Sequence, residues 1–286
     1  MGKCGIAGEA ELWLNRAMGP VVQIVAAGIV FFAALVAPAG EIVLVKGTSS
    51  TPDAAERNYA EAMTRVIGRH LAALDISYRL TDDDGLTAGI LDDASVAILP
   101  YNPFPTAKEK KAIRSFLRGK GKLMVFYSAD QALAGMMDLG IGPYKSWDAG
   151  GRWSLIRFNS NAPAGVPETV LQESRNIRPV HPVRGKASVI GSWETSDGDA
   201  TGDPAWVQSE QGLWMTHVLL DDGDTMAKQQ MLVALLGSLE PAVWPAATKR
   251  LLAEATCLGK YPSFDVALRS VENRGRGKPG EAQIAG

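Results

Sequence analysis

The sequence predicts an α/β fold, a three-layer sandwich in which helices cover both faces of a mostly parallel sheet. Short apolar runs with the length of buried strands alternate with longer stretches of helical apolar periodicity. Loops rich in glycine, proline and polar residues separate these segments. Such alternation is typical of parallel strands joined by right-handed crossovers. We therefore expect functional residues to gather where the parallel strands end.

The segment Lys122–Gln131 (KLMVFYSADQ) contains the strand around which the predicted sheet is arranged. Residues 123–127 are all apolar or aromatic, which suits a strand buried on both faces of a parallel sheet. Ser128 and Asp130 follow, and a helical apolar pattern begins at once. A strand that turns directly into a helix presents one residue at the carboxyl edge of the sheet, where open α/β folds bind ligands.

The other elements follow from the same patterns, with Thr106 as a helix cap and Gly119 as a helix stop. Before the central strand we predict strands over residues 41–46, 76–80 and 95–99, helices over 53–74 and 106–118, and a helical turn over 86–91. Glycine, proline and polar residues then dominate residues 140–182. Beyond them we predict strands over residues 185–193, 205–207 and 212–220, and helices over 225–239 and 246–255.

The first 39 residues predict an export segment. Residues 17–40 contain no charged side chain, residues 21–36 are nearly all apolar, and the small residues that follow suit cleavage near Ala39. The run is also long enough for an uncleaved membrane anchor through residues 20–37. We therefore expect an exported protein, periplasmic or extracellular, or alternatively one that this segment anchors to a membrane.

Residues 41–256 form the predicted domain, and residues 257–286 form a tail that we expect to be disordered from residue 273. The formal net charge of −2 over 286 residues gives no overall attraction to nucleic acid. Cys4 and Cys257 are too sparse for a disulfide framework or a metal knuckle. Each is expected to be a free thiol or a small buried apolar residue.

Three stretches could bind ions, and each has a structural alternative. Gly47–Thr51 (GTSST), between a strand and a long helix, resembles a phosphate loop that would bind FMN. The alternative, which we favour, is a solvated loop that caps the helix. The acidic residues Asp82–Asp84 and 221–224 lack the ligand spacing of a calcium loop and predict exposed turns and caps.

The tryptophans and histidines can also be interpreted either as structural or as functional residues. Trp193 and Trp214 are predicted to be core, whereas Trp147 and Trp153 could be core or could contact a sugar or a partner. His70 and His181 are predicted to be surface or satisfied loop residues. The three histidines of the chain have no ligand spacing, so we predict no metal and no cofactor.

The chain resembles the class I glutamine-amidotransferase-like superfamily, whose fold is flavodoxin-like. The most similar variant is the N-terminal domain of glycoside-hydrolase-like proteins, akin to the β-galactosidase trimerisation domain. The resemblance spans about residues 41–239 and rests on the strand–helix order and four motifs. These motifs are Val166-Pro167-Glu168, Gln172–Ile177 (QESRNI), Val189–Trp193 (VIGSW) and Gly212–Leu219 (GLWMTHVL).

Carrying the amidotransferase motif over places the nucleophile at Ser128 and its flanking glycines at Phe126 and Asp130. The base would fall on His217, inside its predicted strand, and the acidic residue of the triad has no match, because Leu219 stands there. A nucleophile turn needs small neighbours, so we expect Ser128 or Asp130 to cap the following helix instead.

The sequence thus favours a non-catalytic binding or assembly module of an exported protein related to carbohydrate-processing proteins. The alternative is a serine-dependent hydrolase of sugar or amide substrates through Ser128 and His217. Its partners would be a carbohydrate, a glycoside-hydrolase-like barrel or further copies of the chain, the last two on the resemblance alone. The predicted ligand-binding residues lie at the carboxyl edge of the sheet: Gly47, Tyr101, Asn102, Ser128, Asp130 and Asp221.

Overall fold

A computed structural model describes residues 40–183 and 185–248 of the chain. Residues 40–243 of this range belong to one compact unit, and residues 244–248 belong to a second unit. The export segment 1–39 and the tail 257–286 that the sequence predicts lie outside the described residues. No helix of the described part is long and apolar enough to cross a membrane.

Thirteen strands and four α-helices make up the described part of the larger unit. The first half of the chain contains β1 (Glu41–Lys46), α1 (Ala54–Ala73), β2 (Arg79–Asp82), β3 (Ala94–Leu99), α2 (Ala107–Arg118), β4 (Lys122–Val125), α3 (Gln131–Met136), β5 (Leu139–Ile141) and β6 (Lys145–Ser146). The second half contains β7 (Trp153–Phe158), β8 (Thr169–Ser174), β9 (Asn176–Ile177), β10 (Val180–Pro182), β11 (Ala187–Glu194), β12 (Ala200–Ser209), β13 (Gly212–Met215) and α4 (Thr225–Leu239).

Nine of the strands form one mixed sheet in the order β2-β1-β3-β4-β13-β12-β11-β7-β8. The first five strands of that order are parallel to one another. The last four continue the sheet in antiparallel pairs. The α/β class with a parallel core is therefore confirmed. The antiparallel direction of the last four strands was not predicted, although β11 and β12 overlap the strands predicted over residues 185–193 and 205–207.

The core forms where apolar strands are covered on both faces. Residues 42–45 of β1, 96–99 of β3 and 123–125 of β4 are buried without alternation, as the continuous apolar runs predict. Trp193 and Trp214 are fully buried, which confirms them as core, and Trp153 is buried as well. Trp147 is 46% exposed and so remains accessible to a ligand or partner.

Among the element boundaries that differ from the prediction, three have local reasons. The second strand is β2 and begins at Arg79, because Ile76 donates its N–H to the Leu71 carbonyl in the turn that ends α1. The helical turn after β2 is a 3₁₀ helix over Asp83–Ala88. β13 ends at Met215, because the carbonyl of Thr216 accepts the N–H of Arg178 instead of extending the ladder with β4.

Candidate functional site

The loops that follow the parallel strands bring several predicted site residues together. The N–H of Asn102, after β3, donates to the carbonyl of Tyr127, after β4, at 3.1 Å. The Asn102 amide also packs against Gly47, after β1, where a Cβ would lie 2.7 Å from the amide nitrogen. A side chain at position 47 would therefore displace the buried Asn102, so this close approach requires glycine.

Four tyrosines, Tyr59, Tyr101, Tyr127 and Tyr144, lie around these loops, and we call them the tyrosine cluster. The ring of Tyr101 stacks on Tyr127 with centroids 5.2 Å apart and meets the ring of Tyr59 edge to face at 4.9 Å. Both geometries are favourable for aromatic pairs. The hydroxyl of Tyr101 donates to Glu56, on the first turn of α1, at 2.7 Å. The cluster therefore joins α1 to the carboxyl ends of β3 and β4.

Two rings of the tyrosine cluster pack on apolar side chains, and the other two expose aromatic surface to solvent. Tyr101 and Tyr127 pack against a small core of Met63, Val66 and Val218 and are half-buried. Tyr59 and Tyr144 remain 39% and 50% exposed. Burial, followed by the neighbouring hydroxyl of Tyr127, raises the pKa of both Tyr59 and Tyr144. The hydroxyls of Tyr59 and Tyr144 are therefore neutral hydrogen-bonding groups near pH 7.

An arginine borders the tyrosine cluster. The guanidinium carbon of Arg178 lies 5.5 Å from the centroid of the Tyr144 ring, within the range of a cation–π interaction. The backbone N–H of Arg178 donates to the carbonyl of Thr216, just after β13, at 2.9 Å. The positively charged guanidinium of Arg178 thus lies at the same edge of the sheet as the aromatic rings.

Ser128 is fully buried and its hydroxyl bonds to the backbone. It donates to the carbonyl of Pro103 at 3.3 Å and accepts the N–H of Asp130 at 3.2 Å. Asp130 is the residue that caps α3, through the N–H of Leu133 at 2.7 Å, and it also pairs with Lys110. The predicted capping role therefore belongs to Asp130, which Ser128 supports.

His217 lies beyond the end of β13, not inside the strand as predicted. Its Nδ1 is 3.3 Å from the Ser174 hydroxyl and 3.4 Å from the amide nitrogen of Gln172, both on β8. Burial lowers the pKa of His217 to about 4. The ring is therefore neutral and a weak base near pH 7, and no hydrogen bond of the described residues joins it to Ser128.

The Ser/Thr-rich loop after β1 holds an internal carboxylate. Asp83, which is fully buried, accepts the N–H of Ser49 at 2.7 Å, the N–H of Ser50 at 2.9 Å and the Ser50 hydroxyl. In a phosphate loop such N–H groups would bind the phosphate of a ligand. Here a side chain of the protein satisfies them, which supports the interpretation of a structural loop.

The acidic turn before α4 closes the edge of the sheet. Asp224 and Asp222 accept the N–H groups of Leu171 and Glu173, on the outer side of the edge strand β8, at 2.8 Å each. Asp222 also pairs with the buried Lys228 of α4. No group of metal-ligating side chains occurs among residues 40–183 and 185–248. Asp221, which lies in the same turn as Asp222 and Asp224, forms an ion pair with Arg69 of α1.

The two histidines that were expected to be peripheral differ from each other. His181 is exposed, as predicted. His70 is buried within α1, and burial lowers its pKa, so the prediction of a surface or loop position was wrong. Position 70 falls on the covered face of the helix, beside Ile67 and Leu71, which explains why it is shielded.

The sequence identified only part of this site. It named Gly47, Tyr101 and Asn102, which lie together, whereas it missed Tyr59, Tyr127, Tyr144 and Arg178. Five of the six tyrosines of the chain lie between residues 59 and 144, and this concentration is the signal that could have drawn attention to them. A separate open groove of about 530 Å³, lined by Arg114, Arg118, Met136 and Gln211 among others, contains none of the predicted site residues.

No protein-family profile and no curated protein matches the chain. Among solved structures it is similar to α-L-fucosidase isoenzyme 2 from Paenibacillus thiaminolyticus, with a TM-score of 0.54 and 13% identity over 70% of this chain. That match spans only 33% of the fucosidase chain. The chain is also similar to a ThuA-like protein from Bacteroides uniformis, with a TM-score of 0.53, 14% identity, and coverage of 73% of this chain and 95% of the other. At such identities the likeness shows the fold alone, and it agrees with the α/β fold predicted from the sequence.

Proposed function

We propose that the chain is a non-catalytic ligand-binding module, related to carbohydrate-processing proteins, that binds a sugar on the tyrosine cluster. The observation that carries the proposal is the exposed aromatic surface of Tyr59 and Tyr144, continued by the Tyr101–Tyr127 stack, at the carboxyl ends of the parallel strands. Ligands of open α/β folds bind at this edge.

Sugar chemistry suits this surface. The C–H face of a pyranose packs on an aromatic ring, and its hydroxyl groups need donors and acceptors at the rim of that ring. The tyrosine hydroxyls and the carboxylate of Glu56 are such groups.

The hydrogen bonds of Ser128 and His217 argue against the alternative of a serine hydrolase. A serine nucleophile needs a base within hydrogen-bond reach and an accessible hydroxyl. The Ser128 hydroxyl is buried between backbone groups, and His217 faces Gln172 and Ser174. We therefore propose a role in recognition, with a fluorophosphonate probe as the direct test of the alternative.

Export and assembly are part of the same proposal. An exported sugar-binding module would act beside an enzyme that processes the sugar, in line with the α-L-fucosidase, of which a similar fold forms one part. A glycoside-hydrolase-like barrel on another chain, or further copies of this chain, would then be its partner. Size-exclusion chromatography with light scattering at several concentrations measures self-association directly.

Titration calorimetry tests sugar binding. The ligands are galactotriose, trigalacturonate and L-fucose, added to residues 40–286 so that the predicted export segment does not interfere. We expect at least one of them to bind, and Tyr144→Ala to weaken that binding about tenfold or more because a stacking face is lost. Leu171→Ala is the matched control, since Leu171 is an exposed apolar residue on the edge strand β8. Binding of none of the three sugars, or covalent labelling of Ser128 by the fluorophosphonate, would overturn the proposal.

A further inference from the structure

Arg178 pairs with no acidic side chain of the described residues. The ion pairs of residues 40–183 and 185–248 join other lysines and arginines to carboxylates and leave Arg178 out. Two other contacts position the residue, one at its side chain and one at its backbone. The Tyr144 ring lies 5.5 Å from the guanidinium carbon, and the backbone N–H of Arg178 is bonded to Thr216.

One N–H donor of the Arg178 guanidinium also lacks a hydrogen-bond acceptor among the described residues. Its Nε atom is shielded from solvent and makes no hydrogen bond within the described residues. Buried donors are almost always satisfied in folded proteins, so a donor of this kind calls for an explanation. A carboxylate bound side-on to the guanidinium would accept from Nε and from the neighbouring terminal nitrogen together.

We propose that the ligand of the tyrosine cluster is an acidic sugar. Its ring stacks on the tyrosines, and its carboxylate accepts two hydrogen bonds from the Arg178 guanidinium in a bidentate interaction. This inference rests on the proposed sugar-binding function and names the class of sugar. The planar guanidinium matches two carboxylate oxygens in geometry and charge.

The charges around the cluster favour a carboxylate over a phosphate ester. Glu56 is bonded to Tyr101, and Asp148 is close enough to Tyr144 to act on its hydroxyl. A dianionic phosphate would meet repulsion from both acidic groups, with one guanidinium to offset it. A carboxylate, with one negative charge per sugar ring, is better accommodated on Arg178.

A matched pair of ligands tests the inference. Galactotriose and trigalacturonate have the same ring type and chain length and differ by the oxidation of C6 to a carboxylate in each of the three rings. We expect trigalacturonate to bind about tenfold or more tightly than galactotriose in calorimetry at pH 7. Arg178→Gln should abolish this preference, and Arg178→Lys should keep part of it, because lysine retains the charge and loses the planar fork.

Arg65→Gln is the control variant, since it removes one positive charge from the exposed face of α1, where Arg65 pairs with Glu61. If this variant reduced the preference as much as Arg178→Gln, a general charge effect would replace the specific contact and the inference would fail. It would also fail if the two sugars bound equally well to the wild type, although the sugar-binding function would then stand. Binding of no sugar at all overturns the proposed function itself.

Discussion

The carboxylate of Asp83 accepts the backbone N–H of Ser49 across 34 positions of sequence, at a distance of 2.7 Å. The same carboxylate bonds to the N–H and the hydroxyl of Ser50. The loop after β1 is thus organised as an anion site and filled by the first residue of the 3₁₀ helix that follows β2. The carboxylate attaches this loop to the neighbouring edge of the sheet.

Asp83→Asn should destabilise the protein by roughly 2–3 kcal/mol, because the amide offers one acceptor oxygen and turns donors toward the remaining N–H groups. Urea unfolding measures the free-energy change. Asp93→Asn is the control at an exposed aspartate and should change stability by less than about 0.5 kcal/mol. Equal effects of the two substitutions would show that the Asp83 bonds contribute little.

FMN should neither bind nor raise the melting temperature of the wild-type protein. A phosphate can enter the loop only by displacing the buried Asp83 carboxylate from three hydrogen bonds. Thermal unfolding with and without millimolar FMN, and the visible absorbance of the purified protein in the flavin band, test this expectation. A rise in melting temperature or a yellow protein would contradict it.

Asp130→Ala should cost more stability than Ser128→Ala. The aspartate caps α3 and pairs with Lys110 in a largely shielded position, so its loss should cost about 2 kcal/mol. The serine makes two long bonds to backbone atoms, and its loss should cost about 1 kcal/mol. Urea unfolding of the two variants decides the order. The reverse order would assign the capping role to Ser128.

A strand could be predicted from the sequence when its buried residues were apolar, and it was harder to predict when some of them were polar. β1, β3 and β4 are continuous apolar runs, and their bounds were predicted to within a few residues. β8 alternates between buried and exposed positions, but its buried face includes Gln172 and Ser174, which bond to His217. A strand with polar residues on its inner face resembles a loop in sequence, so β8 was missed. β11 and β12, by contrast, overlap the strands predicted over residues 185–193 and 205–207.

The candidate site was harder to predict for a related reason. Tyr59 lies on a helix, Tyr144 in a connection and Arg178 beyond a two-residue strand, and no local pattern marks any of them as functional. Their proximity arises from tertiary contacts between distant segments. The carboxyl edge itself could be predicted, because it follows from the order of strands and helices.

Stability should fall as the pH decreases below 6.5. Burial lowers the pKa of His217 to about 4 and also lowers that of His70. Between the two pKa values of each residue the unfolded chain binds more protons than the folded protein, so protonation favours unfolding. For His217 alone the loss from pH 7 to pH 5 should be roughly 2 kcal/mol.

His217→Asn places an amide near the position of Nδ1 and removes the titration. Urea unfolding of the variant at pH 7 and pH 5 should therefore show a smaller pH dependence than that of the wild type, by about the loss assigned to His217. Carboxylates that titrate near pH 5 contribute equally to both proteins and cancel in the comparison. An unchanged slope would mean that the imidazole is accessible to protons in the folded state.

Asp224 combines a hydrogen bond with a strained backbone, and substitutions can separate the two contributions. Its carboxylate accepts the N–H of Leu171 on the edge strand, and its φ of 53° lies in the left-handed region. Asp224→Ala loses the bond and retains the strain, so it should cost about 2 kcal/mol. Asp224→Gly also loses the bond but adopts this conformation freely, and it should cost about 1 kcal/mol less.

Hydrogen exchange at the Leu171 amide provides the second measurement on these variants. Exchange should accelerate in both Asp224→Ala and Asp224→Gly, because each exposes the N–H on the outer side of β8. Asp224→Asn is the control, since asparagine tolerates the left-handed conformation and keeps an acceptor oxygen. Unchanged protection of Leu171 in the alanine and glycine variants would show that the edge of the sheet is closed by something other than this carboxylate. Faster exchange would identify the acidic turn as the element that blocks pairing of this edge with another strand.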